Sequence, residues 1–379
     1  METKLLNGNN KEAIAEASKI LQDGGLVAFP TETVYGLGAD ALNADAAAKI
    51  YAAKGRPSDN PLIVHIADTD AVEKLADLET MNRTHPDMVK KAYMLMEAFW
   101  PGPLTIIFPK LAIVPDGTTG GLPTVAIRMP SHPIAQELIR TSGVSIAAPS
   151  ANTSGRPSPT TAQHVWEDMD GRIEMILDGG AVGIGIESTI VDMTGTIPTI
   201  LRPGFITKTM LSEIVGDVTI DPAIIEPDPN LRPKAPGMKY THYAPHGTLS
   251  IVEAAADESA NRASLHSGVK VSYNATEAET LRVAEKIKAL VNEKEAQGYK
   301  VAILTTKEHA SLYKNYSHVL IVGEGNKGQT ISARLYAALR ECDSEQMEYM
   351  YSEAFDQNEL GGAIMNRLLK AAGHRVITV

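Results

Sequence analysis

The sequence predicts an α/β protein of two domains. Over residues 1–210, apolar runs of strand length alternate with helix-like stretches, and several strands follow one another with no helix between them. That order predicts a twisted mixed sheet with flanking helices rather than a purely parallel one. Over residues 248–379 strands and helices alternate regularly, which predicts a smaller Rossmann-like α/β domain. Residues 211–247 lie between them and carry Asp221-Pro, Glu226-Pro-Asp-Pro, Arg232-Pro and Ala235-Pro-Gly, the composition of a linker. A chain of 379 residues with 44% hydrophobic and 21% charged residues can build these cores without covalent staples.

The elements justify this plan in chain order. Lys11 to Gln22 is helix-like and stops at Gly24-Gly25, and Leu26-Val-Ala-Phe-Pro30 reads as a short buried strand. Asp45 to Lys54 is Ala-rich and helix-like, with Gly55 and then Pro57 as its stop. Leu62–Ile66, Leu104–Phe108, Val125–Arg128 and Val144–Ala148 read as strands, and Thr160-Thr-Ala-Gln163 as a capping box that opens a helix. Ile190-Val-Asp192 and Thr199-Ile-Leu-Arg202 read as two further strands. In the C-terminal part, Leu249–Val252, Val269–Ser272, Val301–Leu304 and Val319–Val322 read as strands. Thr276–Gln297, Thr330–Glu341 and Gly361–Ala372 read as helices. The linker ends in Met238-Lys-Tyr-Thr-His-Tyr-Ala-Pro245, whose Tyr, His and Lys side chains exceed what a passive spacer needs. It is therefore expected to touch the site.

Bulk properties exclude several classes. The single Cys342 rules out an intrachain disulfide and a cysteine zinc site, and fits a reducing compartment. The polar start Met-Glu-Thr-Lys-Leu-Leu-Asn has no apolar signal core, and no run approaches a membrane span, so the expected place is the cytoplasm with no membrane partner. A net charge of −11 argues against a broad nucleic-acid face, and five Phe with two Trp make a poor base-stacking platform. No HExxH, GxSxG or metal-spaced His cluster occurs, so no protein metal site is expected.

Five segments of the first 210 residues place polar or basic residues at the ends of apolar runs. They are Pro30-Thr-Glu-Thr-Val-Tyr-Gly-Leu-Gly38, Lys54-Gly-Arg-Pro-Ser-Asp-Asn-Pro-Leu62, Ala126-Ile-Arg128, Pro149-Ser-Ala-Asn152 and Gly185-Ile-Glu-Ser-Thr-Ile190. Loops at strand ends build ligand pockets in this way, and the set points to one site for a nucleotide and a small amino acid. Plainer roles stand beside the functional ones. Lys54 and Arg56 at a helix end fit either dipole compensation or a cation pair for phosphate oxygens. Asn60 sits between Pro57 and Pro61, in a loop held for a ligand or merely punctuated by proline. Ser150 and Asn152 either satisfy their own backbone or present hydroxyl and N–H groups to an anion. Thr31, Glu32, Thr33 and Tyr35 before Gly36 and Gly38, and Glu187-Ser-Thr189 after a glycine run, also read as plain turns. His65 in an apolar strand is more often a core residue than a ligand, and Arg128 at a strand end fits a simple carboxylate pair. Gly323-Glu-Gly-Asn-Lys-Gly-Gln-Thr330 looks like a P-loop, but Gln329 replaces the phosphate-binding Lys, so it reads as a strand-to-helix turn.

Taken together, these segments resemble the threonylcarbamoyl-AMP synthase family, the YrdC-like enzymes of tRNA modification, in its longer two-domain form. The family's Lys-x-Arg and Ser-x-Asn tetrad is matched by Lys54, Arg56, Ser150 and Asn152. The Thr-Glu-Thr-Val-Tyr-Gly-Leu-Gly, Asn-Pro-Leu, Glu-Ser-Thr-Ile and Leu-Arg-Pro-Gly elements follow in order. Leu335-Tyr-Ala-Ala-Leu-Arg-Glu-Cys-Asp343 and Gly362-Ala-Ile-Met-Asn-Arg-Leu368 match the longer form, so the resemblance spans essentially the whole chain.

The resemblance implies a YrdC-like fold in the first domain and one reaction. L-threonine, bicarbonate or CO2, and ATP give threonylcarbamoyl-AMP and pyrophosphate, the first step toward threonylcarbamoyladenosine next to the tRNA anticodon. It implies catalytic roles for Lys54, Arg56, Ser150 and Asn152. It implies ATP contacts from Arg56, Asn60, Thr124, Ser150, Ser158, Arg202 and Tyr243, and threonine contacts from Thr33, His65, Arg128, Ala148 and Ser188. Mg2+ is expected on the triphosphate, held mostly by phosphates and water. A transferase partner is expected to receive the labile product, with little direct grip on tRNA. Two rival readings are weaker. A YrdC-like RNA-binding or ribosome-associated module needs a basic face, against the net charge of −11. A carbamoyl-adenylate enzyme of the hydrogenase-maturation type needs zinc fingers, which one cysteine cannot supply.

Overall fold

The computed structural model describes residues 2–224, 235–236, 242–255, 276–355 and 359–379. It forms two compact units, Met1–Ser154 with Ser158–Tyr240, and Gly155–Pro157 with Thr241–Val379. Among the described residues no helix is long and apolar enough to cross a membrane.

The strands of the first unit are β1 (Lys4–Asn7), β2 (Val27–Pro30), β3 (Tyr35–Asp40), β4 (Ile63–His65), β5 (Leu104–Pro109), β6 (Thr124–Arg128), β7 (Ile146–Ala147), β8 (Met175–Asp178), β9 (Thr189–Asp192), β10 (Thr199–Arg202) and β11 (Thr219–Ile220). Its helices are α1 (Lys11–Gln22), α2 (Ala44–Lys54), α3 (Leu78–Thr84), α4 (Pro86–Phe99), α5 (Asp116–Thr119), α6 (Pro133–Ser142), α7 (Ala162–Met169) and α8 (Lys208–Val215). The strands form one sheet in the order β1-β8-β2-β3-β7-β4-β6-β5-β9-β10-β11. It is mixed: β4 runs parallel to β6 and antiparallel to β7, while β5 runs antiparallel to β6 and parallel to β9.

Local chemistry sets the helix ends. Asn10 and Asn43 cap α1 and α2 by accepting the first free backbone N–H groups. Gly55 and Gly143 close α2 and α6 in the left-handed conformation that glycine adopts without strain. Pro86 and Pro133 open α4 and α6, where a missing N–H costs nothing.

Strand alternation gives the sheet two faces. On one face Val64, Ile106, Phe108, Val125 and Ile127 meet Ile50 of α2, Leu95 of α4 and Leu211 of α8 in the main core. On the other, helices α1 and α6 pack through Ile14, Leu21, Ile134 and Leu138 in one cluster with Val27, Phe29, Ile146 and Leu177. Further along that face Ile63, Ala126, Ile107, Ile190, Leu201 and Ala235 form a cluster to which no helix contributes among the described residues.

Three local expectations are corrected. The glycines of Tyr35–Gly38 lie inside strand β3, paired antiparallel to β2, rather than in a turn. Gly38 is needed for packing: a Cβ there would lie 2.7 Å from Ile146 Cγ2 and 2.8 Å from Phe29 Cε1. Helix α7 is capped by Thr161, which accepts from the His164 N–H, so the capping box expected at Thr160 does not form. Thr160 instead approaches His164 Nδ1 at 3.3 Å. Regular structure also continues past residue 211, because α8 runs to Val215 and β11 adds to the sheet beside β10. The pattern of prolines hid that edge strand.

The second unit contains β12 (Thr248–Glu253), β13 (Val301–Thr305), β14 (Val319–Ile321), β15 (Tyr349–Glu353) and β16 (Val376–Thr378), in the order β14-β13-β15-β12-β16. Every pairing is parallel, as a Rossmann-like sheet requires. Its helices are α9 (Glu277–Ala296), α10 (Gly328–Ser344) and α11 (Glu359–Ala371). Thr276 and Glu279 form a capping box at the start of α9. The expected strand Val269–Ser272 and residues 238–241 lie outside the described residues. The turn before α10 closes on itself: Glu324 N–H donates to Thr330 Oγ1 and Gly325 N–H to Glu308, both at 2.8 Å. Those two N–H groups are spent on the protein's own oxygens, which fits a structural turn.

Gly38→Ala is expected to lower stability by about 1–3 kcal/mol through overpacking, measured as a fall in the denaturation midpoint. An unchanged midpoint would refute the packing role.

Candidate active site

Six adjacent strands bring one rank of residues into line. Ile146 pairs with His65, His65 with Arg128, Arg128 with Thr105, Thr105 with Ile190, and Ile190 with Arg202. Residues paired directly across strands project from the same face. This is the face carrying the apolar cluster of Ile63, Ala126 and Ile107. A polar rank therefore borders an apolar floor.

Arg128 is buried at 4% exposure and each side-chain nitrogen has its own partner. Nη1 donates to Thr33 Oγ1 at 3.0 Å and Nε to the Gly102 carbonyl at 3.3 Å. Nη2 lies 2.7 Å from Glu32 Oε1 as an ion pair rather than an aligned hydrogen bond. Glu32 is itself anchored by the Ser131 N–H at 3.1 Å. The turn that presents Thr33 is made by Thr31, whose hydroxyl donates to the Val34 carbonyl and accepts from the Thr33 and Val34 N–H groups.

Arg202, also buried, wraps the Glu-Ser-Thr segment. Its Nε donates to the Ser188 carbonyl at 3.0 Å, Nη2 to Ser188 Oγ at 3.1 Å, and Nη1 to the Pro236 carbonyl at 3.4 Å. Thr105 Oγ1 lies 2.8 Å from the same Ser188 hydroxyl. Ser158 donates to Glu187 Oε1 at 2.6 Å, and both are buried. Gly204 explains the glycine of Leu-Arg-Pro-Gly, since a Cβ there would sit 2.6 Å from Thr189 N and 2.8 Å from the Glu187 carbonyl. His65 is fully enclosed, with Nδ1 3.1 Å from the Ile63 carbonyl. Burial first, and the neighbouring Arg128 charge second, push its pKa down to about 3. His65 therefore stays neutral at ordinary pH.

A second group gathers where the chain enters β4 and leaves β7. Lys54, the last residue of α2, is buried, and its ammonium donates to the Ser150 carbonyl at 2.5 Å and to the Asn152 carbonyl. The Ser154 N–H returns a bond to the Lys54 carbonyl at 2.9 Å. Ser150 Oγ donates to Asn152 Oδ1 at 2.5 Å. Arg56 Nη2 donates to the carbonyls of Asn60 and Pro61 at 3.2 and 3.0 Å. Asn60 is buried, and its Oδ1 has no hydrogen-bond partner among the described residues. The Ala148 N–H donates to the Ile63 carbonyl at 2.8 Å, so the Ser-x-Asn loop leaves the sheet beside β4. Thr124 opens β6 two positions before Ala126 and shares its face.

The structure thus aligns His65, Arg128 and Arg202, and joins Thr33 and Ser188 to them by hydrogen bonds. It gathers Lys54, Arg56, Asn60, Ser150 and Asn152 around two neighbouring loops, and places Ala148 just past β7 and Thr124 at the start of β6. Tyr243 belongs to the second unit, where it is buried at φ 68° and stacks on Tyr336 with ring centroids 5.1 Å apart. Sequence reasoning passed over Thr105, because threonine is itself a good strand former and raises no alarm in an apolar run. It also read Glu32 and Glu187 as turn residues. Their partners, Arg128 and Ser158, are 96 and 29 positions away and meet them only after folding. Among the described residues no group of three or more His, Cys, Asp or Glu side chains is placed to hold a metal ion.

Comparison with known proteins finds relatives along the whole chain. Residues 19–204 match the Sua5/YciO/YrdC family model, described as telomere recombination. Residues 206–373 match the model for the C-terminal domain of threonylcarbamoyl-AMP synthase. The chain is 46% identical to threonylcarbamoyl-AMP synthase of Bacillus subtilis, over 97% of this chain and 95% of that one. It is 41% identical to the Pyrococcus abyssi protein of the same name, over 98% of each. A crystal structure of P. abyssi Sua5 complexed with L-threonine superposes with a TM-score of 0.84 at 40% identity, covering all of both chains. With relatives of one name matched along nearly its whole length in sequence and in fold, the chain belongs to the threonylcarbamoyl-AMP synthase family.

Proposed function

We propose that this chain condenses L-threonine, bicarbonate or CO2, and ATP into threonylcarbamoyl-AMP, with release of pyrophosphate. The observation that carries the reading is the rank of His65, Arg128, Thr105 and Arg202 along an apolar floor, with Thr33 and Ser188 bonded into it. The threonine amine takes up the one-carbon unit as a carbamate. A carbamate oxygen then attacks the α-phosphorus, and the bond to the pyrophosphate oxygen breaks. No protein nucleophile is needed. The demand is for alignment and for neutralisation of phosphate charge.

In this reading Arg128 takes the threonine carboxylate, using the N–H groups its internal partners leave over. Thr33, Ser188 and the Ala148 backbone hold the rest of the amino acid, and neutral His65 adds a hydrogen bond without a charge. Arg56, Asn60, Thr124, Ser150, Ser158, Arg202 and Tyr243 bind ATP. Lys54 and Asn152 shape the Ser-x-Asn loop, because the Lys54 ammonium holds two of its carbonyls. Mg2+ would accompany the triphosphate and would neutralise part of its charge. A transferase takes up the labile product and passes it to the tRNA adenosine beside the anticodon.

Purified protein with ATP, Mg2+ and bicarbonate is expected to release pyrophosphate only when L-threonine is added, with threonylcarbamoyl-AMP in the mass spectrum. Binding of neither ATP nor threonine would overturn the reading. Arg128→Lys is expected to cut kcat/KM for threonine by about 10- to 100-fold, the worth of one or two hydrogen bonds to a charged group. Wild-type kinetics in that variant would remove Arg128 from the site.

His65 also predicts a pH dependence of stability. Its folded pKa of about 3 lies below the ordinary 6.5, so below pH 6.5 the unfolded chain binds a proton that the folded chain refuses. The contribution is whole above pH 6.5 and drains as pH falls, by up to about 1.4 kcal/mol per pH unit. His65→Gln should flatten the fall of the thermal midpoint between about pH 6.5 and 4.5. Parallel curves for variant and wild type would show that His65 is not held neutral.

A further inference from the structure

We propose that Thr105 is a positioning residue for Ser188, and that it turns the Ser188 hydroxyl into a directed hydrogen-bond donor toward the bound amino acid. The inference rests on the placement of L-threonine beside Ser188 given above.

Thr105 has no exposed surface and is the one polar side chain in Leu104-Thr-Ile-Ile-Phe108. Its hydroxyl makes one side-chain hydrogen bond among the described residues, the 2.8 Å contact with Ser188 Oγ, in which either atom can donate. The surroundings decide which one does. A serine hydroxyl has one hydrogen and two lone pairs. Arg202 Nη2, at 3.1 Å, fills one lone pair, and its direction is certain because arginine has no acceptor.

Thr105 and Ser188 both have no exposed surface, so either direction leaves one buried hydroxyl hydrogen over, at a cost of about 1–3 kcal/mol; only on Ser188 does a bound amino acid supply the missing acceptor. If Thr105 donates, both Ser188 lone pairs are filled, by Thr105 and by Arg202. The Ser188 hydrogen is then left over, on the residue that faces the amino acid. A ligand oxygen completes the network. On this account an acceptor oxygen of the substrate takes the remaining Ser188 hydrogen. Thr105 itself never touches the substrate.

Thr105→Val keeps the β-branched shape and removes the hydroxyl, so the Ser188 hydrogen is free to turn away. The variant is expected to raise the threonine KM about tenfold, close to one hydrogen bond, with kcat within about twofold and the ATP KM unchanged. Thr105→Ser should restore the wild-type threonine KM. In a Ser188→Ala background, Thr105→Val should have no further effect on KM, because the residue acts only through Ser188.

Three results would overturn the proposal: a wild-type threonine KM in Thr105→Val, failure of Thr105→Ser to rescue, or an undiminished Thr105→Val effect in the Ser188→Ala background. Should the valine variant not fold, Thr105→Ala read against Thr105→Ser supplies the same comparison. An unchanged threonine KM in Ser188→Ala would sink the placement of threonine as well. A raised KM in Ser188→Ala with none in Thr105→Val would sink the role of Thr105 alone.

Discussion

Two guanidinium groups buried on one face of the large sheet set the terms for what surrounds them. Removing a charge from water costs several kcal/mol unless partners replace the lost solvation. Arg128 finds those partners in Glu32, Thr33 and Gly102, and Arg202 in the backbone and hydroxyl of Ser188 and the carbonyl of Pro236. These lie in segments far apart in the chain, and each must stop where a donor of the guanidinium reaches it.

Backbone proximity does the remaining alignment. Gly38 lets β3 pass close to Phe29 and Ile146, and Gly204 lets its loop lie against the Glu187–Thr189 backbone. Lys54 works in the opposite sense, as an attractive tie between a helix end and the carbonyls of Ser150 and Asn152. It compensates the helix end and shapes the loop with one side chain. Loops fixed in this way need little rearrangement on binding, which is what a reaction that depends on alignment requires.

The second unit shows how similar elements serve another purpose. Its turn before α10 has the outline of a phosphate loop, yet Glu308 and Thr330 occupy two of its N–H groups. Arg340 is buried and spends Nε and Nη2 on the carbonyl of Pro157, a residue of the same unit. Cations and glycines here stabilise structure, and only their partners distinguish them from those of the site.

Much of the fold was legible in the sequence. Helices α1 and α2 carry their stop signals in adjacent residues, and the apolar runs of β4, β5 and β6 mark buried strands whatever their neighbours. The mixed sheet followed from strands succeeding one another without helices. Strand β3 was missed because its glycines mimic a turn, and their reason is the Phe29 ring across the hairpin. Edge strand β11 was missed because only its pairing with β10 makes it a strand. The sequence by itself determined which residue types are available: Lys, Arg, Ser, Thr and Asn at strand ends, with one cysteine and no metal-spaced motif. The tertiary structure alone decided that His65, Arg128, Thr105 and Arg202 stand in one rank, and that Glu32 and Glu187 are anchors. Register and ion pairing join residues by distance in space, and no local pattern along the chain encodes that distance.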